Sequence, residues 1–157
     1  MTTETKFQSI GWTAARLARH LELVLASIDL SSAQYRMLVQ LSQGAEASTS
    51  LARKLAVSAP SVTAVVDGLV LRHAVERTHS EEDRRRVSLA LTPTGRELLV
   101  AAELAVRGRL ESIAAELEDP ALIDAALSAL ALWAEALDRS RARRLEQRPR
   151  TVEEVQA

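Results

Sequence analysis

The chain has 157 residues, 47% of them hydrophobic but only 3% aromatic, so one domain's worth of core is built from Leu, Val and Ala, a composition that suits closely packed helices better than a β-sandwich. It has no cysteine, which excludes disulfides, Cys-ligated zinc and thiol redox sensing; no apolar run approaches the ~20 residues that span a bilayer, and MTTETKFQSI lacks a signal-peptide pattern, so a cytoplasmic protein without membrane contact is expected. The net charge of −1 hides a segregation: residues 50–96 carry eight basic against five acidic side chains, and 97–157 carry eight against twelve.

From the N-terminus, Phe7, Ile10, Ala14, Leu17, Leu21, Val24 and Ile28 recur at alternating spacings of three and four. That is the seam of one helix packed along another, or the core stripe of an ordinary buried helix. Ser31 and Gln34 form a capping-box pair that opens a second helix. Its Tyr35, Leu38, Val39 and Leu41 supply core contacts, and Gly44 is suited to end it as a left-handed C-cap.

Two helical segments follow in close succession, STSLARKLA at 48–56 and SAPSVTAVVDGLVLR at 58–72, separated by little more than Val57. Ser58 is a good N-cap, and Pro60 fits the first turn, where its missing N–H costs nothing. Val62, Val65, Val66, Leu69 and Val70 form an apolar stripe that leaves Ser61, Thr63, Ala64 and Asp67 toward the other side. A small polar face of this kind fits a major groove about 12 Å wide, where hydroxyls and methyl groups meet base edges.

Next, Val87, Leu89 and Leu91 alternate with Arg86, Ser88 and Ala90, the period-2 pattern of a strand with one buried face. Residues 75–78 are expected to pair back across a loop at 79–83, which puts Arg84, Arg85 and Arg86 where the hairpin turns. Such a charge run is a solvated loop or a DNA contact, and the two helices upstream favour DNA. Thr92, Pro93 and Gly95 end the second strand and open a long helix reaching about Leu117. Asp119 and Pro120 cap another that runs through Leu122, Ala126, Leu130, Trp133 and Leu137 toward Arg144. Leu98, Leu104, Leu110, Ile113 and Leu117 need more covering surface than one small domain offers. From about Arg148 the composition turns polar and Pro-containing, as in a frayed tail.

Helix, turn, helix, then a hairpin with an arginine tip, resembles the MarR family of winged helix-turn-helix transcriptional regulators. The resemblance covers most of the chain and rests on LARKLAVSAPSVTAVVDGLVLRHAVER, on DRRR at 83–86 and on LALTPTG at 89–95. It implies a mainly α fold with a small β-hairpin wing, a DNA-binding domain at 31–92, and dimerisation helices at 1–30 and 93–147 that interleave in a homodimer, leaving 148–157 as a tail. The helix at 58–72 would then read the major groove, while a wing arginine, Arg84 or Arg85, enters the minor groove oriented by Asp83. The full set of residues expected at DNA is Arg53, Lys54, Ser58, Pro60, Ser61, Thr63, Arg77, Asp83, Arg84, Arg85 and Arg86. Two positions depart from the family pattern. His73 stands where a helix-ending glycine is usual, so it must adopt the left-handed C′ conformation or the helix ends differently. Ala64 stands where many members carry an arginine, which shifts readout toward Ser61, Thr63, methyl contacts and DNA shape.

The resemblance also implies a double-stranded pseudopalindromic operator, a regulator that represses, and a phenolic or aromatic carboxylate effector in the cleft between dimerisation helices and winged domain. Trp12, Arg16, Arg19, His20 and Tyr35 are the candidates to line it. The plainer reading makes Tyr35 a core residue and both arginines surface residues. No catalytic residue, metal or cofactor is expected: there is no phosphate loop, HExxH helix or nucleophile elbow, and His79 with Glu81, Glu82 and Asp83 lacks a fixed ligand spacing. A winged helix that binds protein without specific DNA binding is the alternative function; it predicts an apolar or acidic face in place of 58–63.

Overall fold

The structure, a computed structural model, describes residues 2–79 and 87–146, and the side chains of 10–78 and 88–143. Its elements in chain order are α1 (Thr2–Ala26), α2 (Ser32–Leu41), β1 (Glu46–Ala47), α3 (Ser48–Leu55), α4 (Ala59–Leu71), β2 (Val75–His79), β3 (Val87–Leu91), α5 (Pro93–Ala114), a 3-10 turn at Ala115–Leu117, and α6 (Pro120–Glu146). The wing tip with Asp83, Arg84, Arg85 and Arg86 lies outside the described residues, as do the acidic residues Glu81 and Glu82 and the tail from 147.

Local signals set most boundaries. At α2 the capping box is complete: Ser31 Oγ accepts from the Gln34 N–H at 3.1 Å and Gln34 Oε1 accepts from the Ser31 N–H at 2.9 Å. Ser58 Oγ accepts from the Ser61 N–H at the start of α4, and Asp119 Oδ1 accepts from the Ala121 N–H at 2.9 Å at the start of α6. The left-handed residue that ends α4 is His73, at φ 55°. Its N–H donates to the Val70 carbonyl and the Ala74 N–H to that of Leu69, both at 2.9 Å, a Schellman closure. Gly44 does not cap α2 as expected: Ser42 is the C-cap in right-handed conformation, and Gly44, at φ 137°, turns the chain two residues later toward β1.

The expected two-stranded hairpin is a three-stranded antiparallel sheet in the order β1-β3-β2. Val75 pairs with Leu91, Arg77 with Leu89 and His79 with Val87, while Glu46 of β1 pairs with Leu89 from the other side. Leu89 and Leu91 point into the core, as the alternation predicts. Beneath the sheet, Leu38 and Leu41 of α2, Leu51 of α3 and Val62, Val66 and Leu69 of α4 are buried, joined by Leu25, Leu30, Met37 and Val75. The junction of β3 and α5 is stitched to the start of β2. Thr92 Oγ1 donates to the His73 carbonyl at 2.6 Å and accepts the Gly95 N–H at 3.0 Å, while the Thr92 N–H donates to the Ala74 carbonyl.

The chain divides into two compact units, Met1–Arg109 and Leu110–Ala157. In the first, α5 is tied to α2 and α1 by side-chain hydrogen bonds, Tyr35 to Glu103 and Arg109 to His20. In the second, α6 leaves Leu122, Leu130, Trp133 and Leu137 exposed at helical spacing. The expectation that no apolar run approaches a membrane span is corrected here: Pro120–Arg143 is long and apolar enough by length and composition, with a mean hydropathy of 1.4 over its best 18-residue window. Alanines between the leucines carry that mean, and Asp124 and Glu135 interrupt it.

Candidate nucleic-acid interface

α3 and α4 meet at 111°, within the usual range of a helix-turn-helix. The turn is made by Ala56, at φ 55°, whose N–H and that of Val57 both reach the Ala52 carbonyl. Because Val62, Val66 and Leu69 are buried against α2, α3 and the sheet, the opposite side of α4 is forced outward. Pro60, Ser61, Thr63, Ala64 and Asp67 are all exposed there. The hydroxyls are held locally: Ser58 and Ser61 share a hydrogen bond at 2.7 Å, and Thr63 Oγ1 donates to the Ala59 carbonyl at 3.2 Å. Whichever serine donates, the Ser61 and Thr63 oxygens keep acceptor capacity for a base-edge amine.

The basic residues flank this surface unequally. Arg53 is exposed in the last turn of α3. Lys54 is turned to the half-buried Glu46 of β1, which also accepts from Ser50 Oγ at 2.9 Å, so it ties α3 to the sheet. Arg77 of β2 pairs with Asp67 of α4. Sequence reasoning placed Asp67 on this face but missed its pairing with Arg77, and it missed Glu46 altogether. Glu46 lies on β1, outside the helix that carries Ser50 and Lys54, so helical spacing does not signal the first pair, and the second joins residues across a turn and carries no local pattern either.

The candidate effector residues are gathered only in part. Trp12, Arg16 and Arg19 are exposed, with Arg19 paired to Glu22 at 3.1 Å. His20 Nδ1 contacts Arg109 Nη2 at 3.0 Å, and the half-buried Tyr35 donates to Glu103 Oε1 at 2.8 Å. Burial, with the Glu103 carboxylate beside it, pushes the Tyr35 hydroxyl well above its ordinary range and keeps it a donor at neutral pH. Among the described residues no hydrogen bond or ion pair joins Tyr35 to Arg16 or Arg19. Glu103 also lines a concavity of about 360 Å³ along α5 with Leu99, Val100, Leu104 and Arg107.

Comparison with known proteins accords with this geometry. The sequence profile of the MarR family matches residues 30–87. YhbI, an HTH-type transcriptional regulator of Bacillus subtilis, is 32% identical over 103 residues, 65% of this chain and 67% of that one. Among solved structures, the transcriptional repressor CouR bound to a 23-mer DNA duplex matches with a TM-score of 0.65 and 31% identity, over 80% of this chain and 89% of its own. MarR from E. coli matches with a TM-score of 0.70 at 23% identity, over 81% and 93%, a likeness of fold.

Proposed function

The chain belongs to the MarR family, whose members are DNA-binding transcriptional regulators and not enzymes, and from that premise we propose that it is a cytoplasmic repressor acting as a homodimer on a pseudopalindromic operator. The observation that carries this reading is the outward face of α4: a capped helix with small hydroxyl-bearing residues exposed, opposite a stripe locked into the core. The apolar rows left exposed on α1, α5 and α6 support the dimer, with 1–30 and 93–147 as its helices and 31–92 as the DNA-binding domain. In a two-fold dimer the two copies of α4 enter successive major grooves, with half-sites about 10 bp apart. Hydroxyl-radical footprinting on a duplex selected by the protein from a random pool tests this: two protected half-sites on one face support it, and uniform or absent protection contradicts it.

Within the site, Ser58, Pro60, Ser61 and Thr63 meet bases or the backbone at the groove, Arg53, Arg77 and the wing arginines Arg84, Arg85 and Arg86 serve phosphates and the minor groove with Asp83 orienting the inserted arginine, and Lys54, paired with Glu46, adds positive charge at the edge of the surface. Arg84→Ala with Arg85→Ala is expected to weaken binding to every duplex and to reduce the salt slope by roughly 1 per lost phosphate contact. Affinity measured between 50 and 200 mM salt reads this directly, and an unchanged slope removes the wing from the interface.

An aromatic carboxylate seated near Arg16, Arg19, His20 and Tyr35, with Trp12 beside them, would relieve repression by favouring a form that fits DNA poorly. Linkage fixes the size of the effect: salicylate must bind the free protein more tightly than the DNA complex by the factor, about 5 to 150-fold, by which it lowers DNA affinity. Titration calorimetry on both forms reads that factor, and equal affinities remove the pocket.

A further inference from the structure

Asp67 has the wrong charge for its place. It stands on the outward face of α4 between Thr63 and Leu71, at helical spacing, on a surface read as meeting a polyanion. A carboxylate there repels phosphate unless a cation answers it. Arg77 does so from the neighbouring strand β2, with Nη2 at 2.5 Å from Asp67 Oδ1. The two side chains are 44% and 54% exposed, and ion pairs at such exposure add little stability, so holding the fold together is a poor account of this one. What it does fix is the place of a guanidinium at the junction of α4 and the wing strand. Arginine presents five N–H donors in a rigid fork, and a carboxylate on one edge leaves further donors for a phosphate oxygen.

We propose that Asp67 is a positioning residue for DNA binding, holding the Arg77 guanidinium at the junction of α4 and β2 so that it meets a backbone phosphate beside the groove that α4 occupies. This role rests on the reading of α4 as the DNA-facing helix. It belongs to a pair of described residues and is separate from the arginines of the wing tip.

Asp67→Asn separates positioning from simple charge, because the two effects have opposite signs. Removing a negative charge from a DNA-facing surface would, by electrostatics alone, tighten binding to every duplex. Positioning predicts binding about 10-fold weaker to the duplex that the wild-type protein selects from a random pool. Binding to a scrambled duplex of equal length and composition should weaken as well, because a phosphate contact carries no sequence information. Asp67→Glu, which keeps the carboxylate, should recover most of the loss, and Arg77→Ala should be no worse when combined with Asp67→Asn. Because both residues are half exposed, all four variants should melt close to the wild type in a circular dichroism scan. Tighter binding of Asp67→Asn to both duplexes, or additive losses in the double variant, overturns the positioning role. Unchanged affinity of Asp67→Asn for both duplexes overturns this role alone; a wild-type protein with no preference overturns the reading of α4 and this role with it.

Discussion

Replacing Trp133 and Leu137 with glutamate is expected to turn the protein from a dimer into a monomer and to weaken binding to its selected duplex by at least about 100-fold. Trp133 and Leu137 are 64% and 61% exposed on α6, in the same row as Leu122 and Leu130. Burying such side chains contributes about 1.5–3 kcal/mol each, and a two-fold interface counts each residue twice. Glutamates would forfeit that burial and set carboxylates where the partner's apolar row should lie. A monomer carries a single copy of α4, so it loses the high effective concentration that delivers the second half-site. Light scattering behind size exclusion at micromolar protein gives the mass, and fluorescence anisotropy gives the affinity. Both positions are exposed, so the substitutions open no cavity and should leave the helical content unchanged. A variant that stays dimeric with unchanged affinity would remove α6 from the interface.

Gly95→Ala should destabilise the fold by about 3 kcal/mol, because no rotation of a side chain relieves the clash it creates. A Cβ on Gly95 would sit under 3 Å from the carbonyl oxygen of Ala74 and 2.9 Å from its carbon, both backbone atoms at the start of β2. Backbone there is pinned by Thr92, which bonds to His73, Ala74 and Gly95 together, so neither side can retreat without opening that junction. Thermal unfolding should shift down by roughly 2–4 °C per kcal/mol for a chain of this size. Gly11→Ala is the control, since nothing lies within 4 Å of a Cβ there and the helix gains propensity. Equal melting of the two variants would mean the junction yields more easily than its hydrogen bonds suggest.

These two sites also show what was legible in the sequence. Helix starts were, because Ser31 with Gln34, Ser58 with Pro60 and Asp119 with Pro120 satisfy backbone N–H groups by local chemistry that does not depend on the rest of the fold. The strand at β3 was legible from its alternation, whereas the left-handed His73 was one of two outcomes that the resemblance left open and the structure decides. β1 was not: two residues have no periodicity, and their partner in β3 lies about forty residues away in sequence. Gly44 was misjudged as a cap because its positive φ serves the approach to β1 instead. Gly95 was read as a strand end, whereas its role comes from a backbone that only the folded chain brings against it. Contacts over long separations, Tyr35 with Glu103, His20 with Arg109 and Arg77 with Asp67, leave no trace in spacing and appear only once the elements are packed.

The central claim is that α4 reads sequence as one half of a dimer. Its most direct test is the ratio of affinities, at one fixed salt concentration near 0.15 M, for the duplex selected by the wild-type protein and for a scrambled duplex of the same length and composition, with the stoichiometry of each complex. A ratio of about 10³ or more, with two chains per selected duplex, is the result predicted; a ratio near 1, or one chain per duplex at full specificity, contradicts it.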